Sequence, residues 1–317
     1  MTIKNVLLLG GSGFVGTAVA NRLARLDINV TVPTRRRERN KALIALPNVS
    51  MVEANIHDPV QLQALMVGQD AVINLVGILH GSGRKAPYSR VFAEAHVELP
   101  KKMVAAARAA GIKRVLHMSA LKAAVDAPSE YLRSKADGEA AVKASGLDVT
   151  IFRPSVIFGV GDSFLSTFAK LLHLLPRFYV GYGQAKFQPV FLGDVAEVIV
   201  RSLLDSRAVG QTYELVGPKV YTLRQIIEYV NELTGSRKKI RDLPRFLAQL
   251  QAGFLSLMPK PMLSPDNLRS MEVDNVAPDA QMPCGIAPTA MEAVAPTYLL
   301  GVAAKRHFDR FRVAAGR

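Results

Sequence analysis

Apolar residues in the first half of the chain alternate between short unbroken runs and longer stretches with helical spacing. Unbroken runs are typical of buried parallel strands, and apolar residues that recur every three or four positions are typical of amphipathic helices. The pattern predicts strands at residues 6–9, 30–32, 49–53, 71–76, 114–118 and 149–152. Between them it predicts helices at residues 17–26, 59–66, 91–110 and 129–145. Such alternation forms right-handed βαβ units, so the predicted fold class is α/β, with the doubly wound parallel sheet of a Rossmann domain.

The pattern changes in the second half of the chain. Helices are predicted at residues 164–175, 195–204 and 223–233, and strands at 188–194 and 211–216. From residue 244 onwards prolines are frequent, which favours short helices and loops over further βαβ units. We therefore predict a dinucleotide-binding Rossmann domain over residues 1–155 and a smaller, interleaved C-terminal substrate lobe over 156–317. Residues 187–216 are expected to return to the Rossmann sheet.

Glycines 10, 13 and 16 form the pattern G-x-x-G-x-x-G between the first predicted strand and the first predicted helix. Gly10 permits the tight turn, Gly13 lets the backbone approach a pyrophosphate, and Gly16 lets the helix pack close to the sheet. The helix N-terminus offers N–H groups and a positive dipole end to phosphates, so Ser12 and Phe14 are assigned to the same contact. Dinucleotide binding is predicted, with a structural glycine-rich turn as the alternative.

The residues after the second strand indicate which dinucleotide binds. NAD-binding domains usually carry an acidic residue there for the ribose hydroxyls, whereas this chain has Arg35, Arg36 and Arg37, and no acid before Glu38. Guanidinium groups suit a 2′-phosphate, with Arg35 and Arg36 as the candidates. NADP(H) is therefore favoured, and NAD(H) is the alternative. Asp58, after the third strand, is a candidate contact on the adenine side.

Tyr131 and Lys135 form the pattern Y-x-x-x-K on a predicted helix. Residues four apart share a helix face, so the phenol and the ammonium group are expected at one site. A nearby cation would lower the tyrosine pKa and make the phenol a usable general acid or base. Ser119 ends the preceding strand, where its hydroxyl is expected to bind a carbonyl oxygen. These three are the candidate catalytic residues, and Lys135 is also a candidate to hold the nicotinamide ribose.

Together these motifs resemble the short-chain dehydrogenase/reductase (SDR) superfamily, in its extended and atypical branch. The matching pieces cover most of residues 1–235 and include the glycine loop, Tyr131 with Lys135, and residues 55–58, 74–77, 153–159, 189–194 and 213–217. The resemblance implies an NADP(H)-binding Rossmann core with a smaller lobe over the nicotinamide. It also implies that the glycines hold the pyrophosphate and that Tyr131 and Lys135 lie beside the nicotinamide. By the same resemblance, further cofactor contacts are expected at Leu75, Val76, Gly77, Pro154 and Ser155.

Residues 263–276 resemble a subgroup related to the SDR-type accessory subunit of respiratory complex I. Two departures from the wider superfamily matter for function. His96 stands where many SDRs place an asparagine of a proton relay, and residues 74–77 lack the alternating His/Ala pattern of the sugar-nucleotide epimerase branch. The subgroup also includes subunits thought to be structural. The resemblance therefore leaves a catalytic and a non-catalytic interpretation open.

The net charge of +14 and the basic clusters at residues 35–41 and 305–317 point to anionic partners. Such a balance suits anionic small ligands, an anionic membrane surface or nucleic acid. With no zinc finger, no aromatic RNA-binding pattern and no Trp, nucleic acid is not an expected partner. A solvated basic surface is the simplest interpretation, and peripheral contact with an anionic membrane or a respiratory complex is the alternative.

Residues 164–182 and 246–262 are rich in Leu and Phe. Core packing is their simplest interpretation, and an amphipathic helix on a membrane or a pocket for an apolar, quinone-like substrate are the alternatives. Cys284 is the single cysteine, which excludes an internal disulfide and a C-x-x-C site, and no metal site is expected. The first apolar run is too short for a signal peptide or a membrane span. A cytoplasmic protein is expected, with peripheral attachment to the inner face of the cytoplasmic membrane as the alternative.

Two functions follow from the sequence. The first is an NADP(H)-dependent oxidoreductase that transfers hydride to or from a carbonyl, alcohol or quinone-like substrate. The second is a non-catalytic nucleotide-binding accessory or assembly protein of a respiratory or quinone-synthesis membrane complex. A sugar-nucleotide epimerase or dehydratase is a third, disfavoured by the arginines after the second strand because such enzymes usually keep NAD bound.

Overall fold

The computed structural model describes residues 3–81, 86–255 and 264–300. Within these ranges the strands are β1 Asn5–Leu9, β2 Asn29–Thr34, β3 Val49–Glu53, β4 Ala71–Asn74, β5 Arg114–Met118, β6 Asp148–Pro154, β7 Ile157–Phe158, β8 Phe178–Gly181, β9 Lys186–Phe187, β10 Val190–Phe191, β11 Thr212–Leu215, β12 Tyr221–Thr222 and β13 Ile240–Leu243. The α-helices are α1 Phe14–Arg25, α2 Lys41–Ile44, α3 Pro59–Met66, α4 Arg90–Ala93, α5 Leu99–Ala109, α6 Glu130–Lys143, α7 Leu165–Leu174, α8 Leu192–Leu204, α9 Leu223–Leu233, α10 Arg245–Leu255 and α11 Pro265–Ser270.

Seven strands form one sheet in the order β11-β6-β5-β4-β1-β2-β3, and every pair in it is parallel. Its central strands are buried along almost their whole length, as the apolar runs in the sequence predict. The order reverses between β1 and β4, so a crevice is expected at the carboxyl ends of these two strands. The predicted α/β class with a doubly wound Rossmann sheet is confirmed.

The chain divides into two compact units. Unit 1 comprises Met1–Pro154, Leu192–Leu215 and Asp279–Ala287, and it contains the seven-stranded sheet. Unit 2 comprises Ser155–Phe191, Val216–Pro278 and Pro288–Arg317. The return of the chain to the sheet through α8 and β11 resembles the predicted return over 187–216. The third segment of unit 1, Asp279–Ala287, has no counterpart in our prediction.

Unit 2 has its own apolar core around α7 and α9, with Leu165 and Leu172 from the first helix and Ile226 and Val230 from the second. Its strands pair in short two-stranded sheets: β7 with β10, β9 with β12, and β8 with β13. Strands β8 and β13 are absent from our prediction, because both are short and lie among prolines and basic residues. In the part of the chain that the structure describes, no helix combines the length and hydropathy needed to cross a bilayer.

Two predicted elements differ from the structure by more than a shift of their ends. The helix predicted over 91–110 is divided, because a five-residue π-helix, Glu94–Glu98, separates α4 from α5. The strand predicted over 188–194 is reduced to β10, and α8 already begins at Leu192. Single-turn π-helices inside longer helices are frequent at functional sites, and His96 lies in the middle of this one.

Candidate functional site

The glycine loop connects β1 to α1 through backbone that side chains would obstruct. Gly10 has a φ of +79°, a left-handed conformation that favours glycine. A Cβ on Gly16 would overlap the carbonyl oxygen of Gly10, so the first turn of α1 packs directly onto the loop. Gly13 is the N-cap of α1 and provides no side-chain cap for its N–H groups. The loop therefore has the open helix N-terminus that a pyrophosphate requires.

The same loop touches the segment that follows β4. A Cβ on Gly10 would lie 3.0 Å from the carbonyl carbon of Leu75 and 3.0 Å from the amide nitrogen of Val76. The Leu75 amide also donates a hydrogen bond of 2.9 Å to the Leu9 carbonyl. Farther along, a Cβ on Gly77 would lie 3.9 Å from the Nζ atom of Lys135. Residues 75–77 thus extend as a continuous backbone wall from the glycine loop to Lys135.

The basic residues after β2 are at the surface. Arg35 and Arg36 are exposed, and the backbone is fixed by contacts of Thr34 with Arg36 and of the Arg37 amide with Glu53 Oε1 at 2.9 Å. Exposed guanidinium groups on a fixed backbone are available to an anion. Asp58 has a structural role, because its carboxylate caps α3 and accepts hydrogen bonds from the Val60 amide and the Gln61 side chain.

Helix α6 carries the Tyr/Lys pair on a face that is packed against the π-helix. Ser129 caps the helix and accepts a hydrogen bond from the Leu132 amide. A Cβ on Gly138 would overlap the carbonyl oxygen of His96, so the two helices meet at backbone distance at this point. This close approach brings Lys135, one turn before Gly138, and Tyr131, two turns before it, against the carboxyl end of the sheet.

His96 is held in one tautomer by its two hydrogen bonds. The Ile78 amide donates to its Nε2 atom at 3.1 Å, so the proton of the neutral ring lies on Nδ1. Nδ1 in turn donates to Ser134 Oγ at 2.8 Å, and Ser134 Oγ donates to the Tyr131 carbonyl oxygen at 2.8 Å. Burial, with Lys135 and His117 nearby, lowers the pKa of His96 to about 2. His96 is therefore neutral at any ordinary pH and links the segment after β4 to α6.

A second neutral histidine lies at the end of β5. Asn74 Nδ2 donates to His117 Nδ1 at 3.2 Å, while Asn74 Oδ1 accepts from the Val76 amide at 3.1 Å. Burial, followed by the charge of Lys135, lowers the pKa of His117 to about 3. The two histidines add no charge to the site, so Lys135 is the cation at its centre.

Lys135 is 3% exposed, and its Nζ atom donates to the Met118 carbonyl oxygen at 2.7 Å. Burial lowers its pKa to about 8, against a smaller opposing effect of Glu139. The Tyr131 ring packs edge-on against His96, with ring centroids 5.5 Å apart. Burial raises the pKa of Tyr131 to about 12. Our expectation that the cation lowers this pKa is wrong for the protein alone, because desolvation by burial acts in the opposite direction.

Ser119 follows β5 and is 2% exposed, and among the described residues its Oγ atom has no partner in hydrogen-bonding geometry. The pKa of Glu139, which is buried on α6, is set by opposing effects. Burial acts to raise that pKa, but bidentate hydrogen bonds from Arg153 at 2.7 and 2.9 Å and a 2.7 Å ion pair with Lys143 leave it at about 2. Glu139 is thus a buried anion that anchors α6 to β6.

Pro154 is the last residue of β6, and Ser155 is the first residue of unit 2. In unit 1 the Pro154 carbonyl oxygen accepts a hydrogen bond from the Leu121 amide at 3.0 Å. In unit 2 the Ser155 hydroxyl lies 2.6 Å from Asn275 Oδ1. The roles of both residues toward the carboxamide of a nicotinamide remain predictions.

Among the predicted residues of unit 1, those of the glycine loop, residues 75–77 and the pair Tyr131/Lys135 lie along one edge of the sheet. Sequence reasoning missed Ser134, Gly138, His117 and Glu139. Gly138 and Ser134 share the face of α6 that carries Tyr131 and Lys135, so helical spacing from the Y-x-x-x-K pattern was the available signal. His117 and Glu139 gave no comparable signal, because Asn74 and Arg153, which bond to them, lie on other strands. In the described ranges no group of three or more His, Cys, Asp or Glu residues could hold a metal ion.

The arrangement has the chemistry of a dinucleotide site. One end offers an open helix N-terminus and glycines that leave room for phosphates, and the other offers a buried ammonium group, a phenol and an unpaired hydroxyl. A nucleotide fits the first end because side chains are absent where its pyrophosphate would lie. Protonated Tyr131 and Ser119 are both able to donate a hydrogen bond to a substrate oxygen.

Comparison with known proteins agrees with this geometry. The NAD dependent epimerase/dehydratase family matches residues 6–215. Mouse mitochondrial NADH dehydrogenase (ubiquinone) 1 alpha subcomplex subunit 9 is 30% identical over 296 residues, 90% of this chain and 77% of that protein. The mitochondrial NADH-ubiquinone oxidoreductase 40 kDa subunit of Neurospora crassa is 27% identical over 310 residues, 95% of this chain and 80% of that protein.

The fold also matches a solved structure, the NADPH-dependent quinone oxidoreductase of Escherichia coli in complex with NADPH. The TM-score is 0.73 at 17% identity, over 95% of this chain and 99% of that one. Identity this low shows the fold alone. The family match covers the glycine loop, the wall after β4 and the Tyr/Lys pair on α6. The chain belongs to the NAD dependent epimerase/dehydratase family of the extended SDR proteins.

Proposed function

We propose that the protein is an NADP(H)-binding oxidoreductase that transfers hydride to or from a carbonyl, alcohol or quinone-like substrate. The observation that carries the proposal is the backbone wall of residues 75–77. It begins against Gly10, where a pyrophosphate would lie, and ends against the Lys135 ammonium group. One extended dinucleotide along this wall would have its phosphates at the glycine loop and its nicotinamide near Tyr131 and Lys135.

The residues at the second end support proton transfer. When bound, the nicotinamide supplies or accepts the hydride. In the direction of reduction, Tyr131 donates its proton to the substrate oxygen, and solvent returns a proton to the phenolate. Ser119 donates a hydrogen bond to the same oxygen. Lys135, with a pKa of about 8, is positively charged at neutral pH and stabilises the negative charge that develops on Tyr131.

We expect the path of proton transfer to differ from that of many SDR proteins, because His96 stands where they have the asparagine of a proton relay. His96 is neutral, and both of its ring nitrogens are used in hydrogen bonds to the Ile78 amide and Ser134. It therefore positions α6 and is not expected to transfer protons.

The first experiment is a titration of the purified protein with NADPH and NADH, read by nicotinamide fluorescence and followed in time with a panel of quinones and aldehydes. Tyr131→Phe should retain NADPH binding and lose at least about 100-fold of its turnover. Tyr213→Phe is the matched control, because Tyr213 stacks on Phe152 in β6 and should retain turnover. Full activity of Tyr131→Phe would overturn the assignment of the proton donor.

Preference for NADPH is attributed to Arg35 and Arg36. The variant Arg35→Ser/Arg36→Ser should weaken NADPH binding about tenfold or more and change NADH binding little, because only the former carries a 2′-phosphate. The control is Arg90→Ser, an exposed arginine paired with Glu94. Equal affinity of the unaltered protein for both nucleotides would contradict the NADP(H) assignment.

A second candidate is a nucleotide-binding accessory or assembly protein without turnover, held peripherally at a respiratory complex on the inner face of the cytoplasmic membrane. The names of the mouse and Neurospora relatives, both subunits of NADH–ubiquinone oxidoreductases, support it. NADPH binding without oxidation by any acceptor, together with co-purification on a respiratory complex, would favour it. Oxidation of NADPH that depends on Tyr131 would favour the first candidate.

A further inference from the structure

Helix α10 in unit 2 exposes its large apolar side chains and buries its small ones. Ala248 and Ala252, 2% and 0% exposed, pack with Leu268. Phe246 and Leu250 on the same helix are 73% and 64% exposed. A surface helix normally has the opposite arrangement, with its large apolar residues directed to the core.

The strand beneath α10 explains why the alanines are buried. A Cβ on Gly181, at the end of β8, would overlap the Cβ of Ala248. Helix and strand therefore approach at a distance that only small residues permit. Phe246 and Leu250 have no space on this side and stay in water, at a cost of about 25 cal/mol for each Å² of apolar surface.

Leu250 also lines an apolar groove beside the helix. Its other apolar lining residues are Tyr179 on β8, Leu243 on β13 and Leu247 on α10, and Gln249, Gln251 and Gly253 complete the lining. Strands β8 and β13 are parallel, and Tyr179 is paired with Arg241. Side chains of paired residues lie on the same face of a sheet, and so does Leu243, two residues after Arg241. The groove and Arg241 thus share one face.

This face is also basic. Lys239 and Arg177 lie two residues before Arg241 and Tyr179, and all four are exposed. Within the described residues, none of the three cations forms an ion pair, whereas the neighbouring Asp242 is paired with Arg224 at 2.8 Å. We name the surface formed by these groups the α10 surface; its members are Arg177, Tyr179, Lys239, Arg241, Leu243, Phe246, Leu247 and Leu250.

We propose that the α10 surface binds an anionic lipid bilayer. Exposed Phe and Leu side chains suit the boundary between headgroups and acyl chains, and adjacent unpaired cations suit anionic headgroups. A second copy of the chain fits less well, because a two-fold interface between two copies of this surface would bring six unpaired cations together. The proposal gives the second candidate function a membrane contact, but it does not depend on whether the protein turns over NADPH.

The test is co-sedimentation of the full-length protein with vesicles of phosphatidylcholine alone or with 30% phosphatidylglycerol. We expect binding to the anionic vesicles that weakens as salt is added, and about tenfold weaker binding for Phe246→Ser/Leu250→Ser. Lys239→Glu/Arg241→Glu should weaken binding and reduce its salt dependence. The controls are Val60→Ser, an exposed apolar residue of α3, and Lys113→Glu.

Because the altered side chains are exposed, we expect all of these variants to fold, and thermal unfolding would verify it. Anionic-vesicle binding that is unchanged in Phe246→Ser/Leu250→Ser would overturn the proposal, as would the absence of binding. A dimer in sedimentation equilibrium that the same variant abolishes, without vesicle binding, would also overturn it and assign the surface to a second copy. NADPH binding is measured separately, so failure of one proposal is distinguishable from failure of the other.

Discussion

Helices α6 and α10 depart from ordinary amphipathic packing in opposite directions. Helix α6 buries Ser134, Lys135 and Glu139, which are polar or charged, whereas α10 leaves Phe246 and Leu250 in water. Burying a charge costs several kcal/mol unless partners compensate, and Met118 and Arg153 provide partners for α6. Within the described residues, no packing contact compensates for the exposure of Phe246 and Leu250 on α10. The difference indicates that the buried polar groups of α6 have partners within the protein, whereas the exposed apolar groups of α10 have none among the described residues, which is why we propose a membrane contact for them.

The largest expected effect tests the close packing of α6. Gly138→Ala should destabilise the protein by about 3 kcal/mol or more, because the new Cβ would overlap the rigid carbonyl of His96. Urea unfolding would measure the change. NADPH binding should weaken as well, since displacement of α6 moves Lys135 from Gly77. Unaltered stability would show that the two helices can separate without cost.

The buried anion of α6 gives the next largest effect. Glu139→Gln should cost about 2 kcal/mol at pH 7, because Arg153 would lose a charged, bidentate partner. The Glu139 pKa is depressed to about 2, so its contribution is fully present above pH 4.5 and is lost as the pH falls through 2. The stability difference between the two proteins should therefore shrink in acid. Glu228→Gln, whose pair with Arg224 is half exposed, should change stability little.

The two neutral histidines predict an acid-sensitive stability. Their pKa values of about 2 and 3 lie below the ordinary value of 6.5, so the unfolded chain binds more protons as the pH falls below 6.5. Stability should then decrease by about 1 kcal/mol per pH unit for each histidine. Urea unfolding between pH 7 and 5 should show a smaller slope of stability against pH for His96→Asn than for the unaltered protein. Equal slopes for the unaltered protein and His96→Asn would contradict a neutral, buried His96.

The smallest expected effect is an increase in stability, and it concerns a glycine of α10. A Cβ on Gly253 would meet no atom within 4 Å. Gly253→Ala should stabilise the protein by about 0.5 to 1 kcal/mol, because it lowers the entropy of the unfolded chain. The same urea measurement would show it. A loss of stability would mean that the exposed face of α10 is already in contact, which would weaken the case for a docking surface.

Much of unit 1 was predictable because its signals are local. The glycine loop and the strand and helix that flank it lie within about 20 residues of each other. The role of each glycine therefore follows from its position between these two elements. The Y-x-x-x-K spacing likewise placed Tyr131 and Lys135 on one helix face. Unit 2 was less predictable, because β8 and β13 are short, lie far apart in the sequence and are stabilised by pairing with each other.

The sequence by itself determined the α/β class, the parallel sheet and the dinucleotide loop, since apolar period and glycine spacing act over short distances along the chain. Only the tertiary structure decided the charge state of the site. The pKa of Tyr131 rises, contrary to the expectation from its neighbour Lys135, because burial from several elements removes both groups from water. The tertiary structure also decided which face of α10 is exposed. Gly181 lies so close to Ala248 that only small side chains fit between the helix and β8, so the face with large apolar residues is turned to solvent.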